Sequence, residues 1–206
     1  MRGFVPALVL ATIALVAVGG CTPQTSVVKV YEDSTRAPGT YKRLLVVDVS
    51  SDYGQQTLFE SEIAARLRKE QVDAVPIYTK LDTSKGVTQS EINKVADDIA
   101  ADGILITHIA SVDTEVDVVA GREQLKSTCR RGDPVDYFLY DHDIIAEPDT
   151  VKVAHTLVVI SNLYDGRSHE RIWTIQSTCF GKESMSEAMS EEASAIVRQL
   201  RIDELI

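Results

Sequence analysis

Leu44-Leu45-Val46-Val47-Asp48-Val49 decides the fold class. A short, nearly continuous apolar run, rich in β-branched side chains, suits a strand buried on both faces, as in a parallel pair beneath helices. Working outward, Phe59, Ile63 and Leu67 recur every four residues, with Ala64 beside them and Glu62 and Arg66 paired on the flank. That spacing predicts a helix from about Thr57 to Gln71. Asp73 to Thr79 reads as another strand, held to an edge or a bulge because Pro76 has no N–H to donate. Thr88-Gln89-Ser90-Glu91 has the form of a capping box. Ile92, Val95, Ala96 and Ile99 then follow at helical spacing, and Gly103 stands beyond their end.

Ile104 to Val119 is a long strand candidate. Its second half alternates Val112, Thr114, Val116 and Val118 with Asp113, Glu115 and Asp117, so one face is expected to be wet and acidic. Val151 to Leu163 predicts a further strand. Tyr164-Asp165-Gly166 supplies a turn, and Arg171 to Phe180 returns as the other arm of a hairpin. Ser184-Met185-Ser186-Glu187 opens a last helix striped by Met185, Met189, Ala193, Ile196 and Leu200. Early crossovers demand parallel pairing and later hairpins antiparallel pairing. The expected fold is a single α/β domain, its mixed parallel/antiparallel sheet (order β-α-β-α-β-β-β-α) covered by helices.

The chain has 206 residues, a length for one domain with a real core, and a formal net charge of −10. Such a surface repels phosphate backbones and disfavours nucleic acid as a partner. Met1-Arg2-Gly3 is a short basic head, and Phe4 to Val18 is an apolar run broken only by Pro6 and Thr12. The run falls short of the ~20 residues of a spanning helix and matches a signal-peptide core. It ends in Val18-Gly19-Gly20-Cys21.

That tetrapeptide resembles the lipobox of bacterial lipoproteins. The resemblance implies cleavage before Cys21, acylation of Cys21 and anchoring of the chain to a membrane. Thr22, rather than Asp, follows the cysteine, which by the same analogy implies the outer membrane, with the body facing the periplasm. The expected division is a signal peptide over 1–20, a lipidated N-terminus and tether over 21–40, and the domain over 41–206. Within the tether, Val27 to Tyr31 has the composition of a short edge strand. From Tyr41 to Ile206 the element order, with Leu163-Tyr164-Asp165-Gly166 and Arg171-Ile172-Trp173, resembles envelope lipoproteins of one group. These are the curli-secretion lipoprotein, the TolB N-terminal domain and the lipoprotein activators of peptidoglycan synthases. The alternating strand reads as part of a sheet wetted on one face; the curli-secretion resemblance implies a pore-lining role as the alternative.

Catalytic patterns are scarce: the chain contains no HExxH, GxSxG, SxxK or GxGxxG. Gly181-Lys182-Glu183-Ser184 reads as the approach to the last helix rather than as a phosphate loop. His108 and His155 are in phase with apolar strand residues, as core or hairpin histidines are. His142 sits in Asp141-His142-Asp143, a solvated loop or a metal-holding constellation. Asp48 and Asp52 stand where open sheets bind ligands, and capping of the loop is the simpler account. With Cys21 acylated, Cys129 and Cys179 remain as a pair in an oxidising compartment, expected to form a disulfide, with two buried thiols as the alternative. Ala120 to Thr150 is too long for an ordinary connection and is expected to be irregular. It carries Tyr137, Phe138 and Tyr140 beside Arg130 and Arg131, a combination suited to binding another protein. The function expected is that of a non-enzymatic binding or assembly module of the envelope, without cofactor or metal. A subunit of an oligomeric secretion machine, self-associating, and an enzyme of unfamiliar type stand as alternatives.

Overall fold

The computed structural model describes residues 25–33, 40–119, 123–128, 141–146 and 150–206. Along the chain run β1 (Thr25–Glu32), β2 (Arg43–Asp48), α1 (Tyr53–Lys69), β3 (Asp73–Pro76), α2 (Gln89–Asp98) and β4 (Gly103–Val119). They are followed by β5 (Glu123–Thr128), β6 (Asp141–Ala146), β7 (Thr150–Asp165), β8 (Arg171–Lys182) and α3 (Met185–Ile202). Six strands form one sheet in the order β1-β8-β7-β4-β2-β3, and β5 and β6 pair with each other. The β2–β3 and β2–β4 pairs are parallel and the others antiparallel, so the mixed α/β sheet read from the element order is the one the chain adopts.

Helices α1 and α3 cover one face of the sheet. Their core gathers Leu44, Val46, Phe59, Ile63, Leu67, Leu105, Leu157, Trp173, Ile175 and Leu200. Helix α2 covers the opposite face over β2 and β4, with Leu45, Val47, Ile92, Ala96 and Ile104. Both faces of β2 are therefore dry, which is why Leu44 to Val47 are continuously apolar and fully buried. Arg66 of the Glu62–Arg66 pair also reaches across to α3, donating to Ser190 and Ser194 at 2.7 Å each.

The structure moves several expected boundaries. Helix α1 starts at Tyr53 rather than near Thr57, because Asp52 accepts from the Gln55 N–H at 2.8 Å and caps it there. The strand expected over Asp73–Thr79 stops at Pro76 and continues as a 3-10 turn over Ile77–Thr79; it lies at the sheet edge, as a proline requires. Around Val27–Tyr31 a strand of eight residues pairs with β8, so the sheet already includes Thr25, well ahead of Tyr41. Two strands, β5 and β6, occupy the segment expected to be irregular between Ala120 and Thr150.

Candidate functional site

Beyond Thr107, β4 outruns its parallel neighbour β2, and beyond Lys182, β8 leaves β7 at His155. What continues is a two-stranded ribbon of β4 and β7, paired out to Val119 and Thr150. Glu123, four residues after Val119, faces Ala146, four residues before Thr150. β5 and β6 pair with each other from there to Thr128 and Asp141, as a separate two-stranded sheet. Both outer edges of the free part carry no sheet partner among the described residues.

A bulge sets the phase of this ribbon. Ile109 faces Val159 and Ser111 faces Val158, so Ala110 is the extra residue. Before the bulge the odd residues of β4 point to the α1–α3 core, as Leu105 does. After it the even residues do, and Val112 lies across from the buried core residue Leu157. An unbroken alternation would have placed Ser111 there instead, and Asp113, Glu115 and Asp117 on the core face beyond it. The bulge thus joins Val112, Val116, Val118, Val151 and Val153 to the core face of the sheet. Helices α1 and α3 do not extend over them. Val116, Val118 and Val151 are 61%, 60% and 59% exposed. The acidic face is exposed as expected; the valine face is uncovered as well, so both faces of the free ribbon meet solvent. Thr114 and His155 bridge the strands on the valine side at 3.0 Å.

Buried polar groups gather where β2 ends and on the sheet-facing sides of α1 and α3, two turns into each helix. Asp48 accepts from the Thr107 hydroxyl at 2.9 Å and from the Ser50 N–H at 3.3 Å, and burial raises its pKa. Glu60 accepts from the backbone N–H groups of Asp48 and Tyr78 at 2.9 and 3.3 Å, and burial pushes it up to about 7. Glu192 of α3 is fully buried over β8 and is likewise pushed up to about 7 by desolvation. The Ser177 hydroxyl and the Cys179 N–H offset only part of that desolvation, and neither carboxyl oxygen of Glu192 has a hydrogen-bond partner among the described residues. A cleft of about 400 Å³ opens at the exit of β2, lined by Asp48, Ser50, Tyr53, Gln56, Thr83 and Lys85. Asp48 and Asp52 are both engaged in holding the loop and the helix cap, which is the capping account of this pair. Among the described residues no three potential metal ligands come together, and no helix is long and apolar enough to cross a membrane.

Of the residues singled out in the sequence, Cys21, Cys129, Arg130, Arg131, Tyr137, Phe138 and Tyr140 lie outside the described residues. Cys179 is buried beneath α3, and burial raises its thiol pKa. His108 is exposed rather than part of a core; His155 is a hairpin residue bonded across the strands. Gly181, at φ 64°, and Ser184, which caps α3 through the Glu187 N–H, make Gly181–Ser184 the turn into that helix. Sequence reasoning missed Glu60, Glu192 and the bulge. The carboxylates sit on helix faces next to apolar residues, a hint that periodicity alone passes over.

No family model matches the chain, and no curated protein matches it. Among solved structures it is similar to two forms of the PelC dodecamer from Paraburkholderia phytofirmans. One, a point variant, is 14% identical at a TM-score of 0.48, over 85% of this chain and 97% of that one. The other is 15% identical at 0.48, over 88% and 99%. Lipoprotein GNA1162 from Neisseria meningitidis is 17% identical at 0.42, over 78% of this chain and 98% of that one. These are similarities of chain course, and no residue role is carried across them.

Proposed function

We propose that this chain is a lipid-anchored binding or assembly module of a bacterial outer membrane, facing the periplasm and acting without catalysis. The observation that carries the reading is the ribbon. A sheet whose core is complete without it sends two strands past its helices, and an uncovered apolar face on such strands suits contact rather than stability. The lipobox ending at Cys21 supplies the anchor, and the described part begins four residues later at Thr25. Residues 129–140, which connect β5 to β6, carry Tyr137, Phe138 and Tyr140 with Arg130 and Arg131, the set proposed to hold an envelope protein. Against catalysis, the two most perturbed carboxyls, Glu60 and Glu192, are closed off under helices rather than aimed at the cleft.

Replacing Cys21 with Ala tests the anchor: the variant is expected to leave the membrane fraction. Photo-crosslinkers at Tyr137 and Tyr140 test the partner site in the intact envelope. A discrete adduct, lost when Tyr137, Phe138 and Tyr140 are changed together to Ser while the thermal midpoint holds, is the expected result. A collapse of the midpoint would make the cluster part of the core and remove the site.

A further inference from the structure

We propose that the valine face of the ribbon lies on a lipid surface, that of the bilayer holding the chain's own N-terminus. The inference rests on the reading of Cys21 as the anchor and goes beyond it, by naming what covers the ribbon.

Thr25 pairs with Cys179, Cys179 with Leu157, and Leu157 with Val112. The first residue of β1 and the root of the valine face therefore stand in one row across four strands. At ~4.8 Å between strands that row is about 14 Å wide. β1 runs antiparallel to β8, so the chain ahead of Thr25 is on the side toward which the ribbon projects. Thr22, Pro23 and Gln24 separate Cys21 from Thr25. Even fully extended, four Cα steps reach no more than about 14 Å. An acyl anchor at Cys21 brings this end of the sheet, and no other, against the headgroups.

The two faces of the ribbon differ as an interfacial element requires. One carries Val112, Val116, Val118, Val151 and Val153, with Thr114 and His155 near the root and no carboxylate or Lys among them. The other carries Asp113, Glu115 and Asp117, with Lys152 facing Asp117. Apolar side chains on one side and acids on the other place a flat ribbon at a lipid–water boundary. The net charge of −10 favours zwitterionic over anionic headgroups.

The test uses the full chain as made in membranes, reconstituted in phosphatidylcholine vesicles whose acyl chains carry bromine. Val116→Trp and Glu115→Trp report the two faces, and the native Trp173 is fully buried and serves as a constant background. Bromine is expected to quench the Val116→Trp signal about threefold more than the Glu115→Trp signal. Equal quenching of both, or none at Val116→Trp, overturns the proposal. So does shielding of the Val116→Trp signal from aqueous iodide before lipid is added, which would mean a second copy or another protein on this face. Release of dye trapped in the vesicles overturns it in favour of a spanning ribbon. The mass of the Cys21 peptide is read on the same sample. An unmodified Cys21 refutes the anchor alone, because added vesicles still read the contrast between the two faces.

Discussion

Val112 and Leu157 face each other across the β4–β7 ladder, yet Leu157 is fully buried and Val112 is 42% exposed. The same face of the sheet passes from core to surface between these two residues. Helix α3 covers Leu157, and no described element covers Val112 or the valines beyond it. The division between what folds the domain and what is left for a partner runs through this pair.

Substitutions on the two sides of that division are expected to differ sharply. Leu157→Ala removes methyl groups from a packed core and is expected to cost ~2–5 kcal/mol. Val116→Ser and Val118→Ser are surface changes expected to stay within ~0.5 kcal/mol each. Urea unfolding of the three variants checks the contrast. A large loss from the valine changes would show that the free ribbon belongs to the folding core.

Deletions distinguish the bulge from the regular strand. Removing Ala110 converts the bulge into an unbroken alternation and keeps Val112 opposite Leu157, so vesicle binding by the valine face is expected to persist. Removing Thr114 inverts the strand beyond it and puts Glu115 and Asp117 on the valine side. Vesicle binding is then expected to be lost, with the circular dichroism spectrum little changed.

Stability is expected to fall as the pH rises from acid toward neutral. Glu60 and Glu192 ordinarily titrate at 4.5 and are pushed up to about 7 in the fold by burial. The folded state thus binds more protons than the unfolded chain between those values. The favourable contribution is complete below ~4.5 and is lost as the pH climbs through ~7, on the order of 3 kcal/mol for each carboxyl. Glu192→Gln keeps the shape without the ionisable proton. It is expected to raise the melting temperature at pH 8 and leave it nearly unchanged at pH 5. Thermal melts of both proteins across that range decide the matter, and a parallel profile would assign the effect elsewhere.

Gly166 is expected to tolerate no side chain. A Cβ there would stand 2.3 Å from the Ala101 carbonyl oxygen, while the Gly166 N–H donates to the Asp102 carbonyl at 2.9 Å. Asp102 in turn accepts from the Lys42 and Arg43 N–H groups at 2.7 and 2.9 Å, locking the start of β2 beside β4. Gly166→Ala forces these backbones apart and is expected to cost ~1–3 kcal/mol or more. Denaturant unfolding reads this directly, and a neutral result would mean that the turn adjusts freely.

By itself the sequence determined the types and the order of the elements from β2 to β4 and from β7 to α3, but not the β5–β6 pair between them. Leu44 to Val47 declare a strand dry on both faces, Thr88 and Glu91 cap α2 in the manner their spacing demands, and Asp165-Gly166 turns β7 into β8. These are local matters, settled by periodicity, turn chemistry and backbone donors within a few residues. The acidic alternation from Val112 to Val118 was legible too. Only the tertiary structure decided which faces stay open. Ala110 becomes a bulge because Ile109 and Val112 must both point to the core face opposite Val159 and Leu157, residues some fifty positions away along the chain. Glu60 and Glu192 become buried acids because two helices close over the end of a sheet assembled from distant strands. Thr25 comes into line with Val112 only through β8 and β7, which the chain makes last. Burial and alignment of this kind depend on long-range packing, and no local window of sequence contains the partners that impose them.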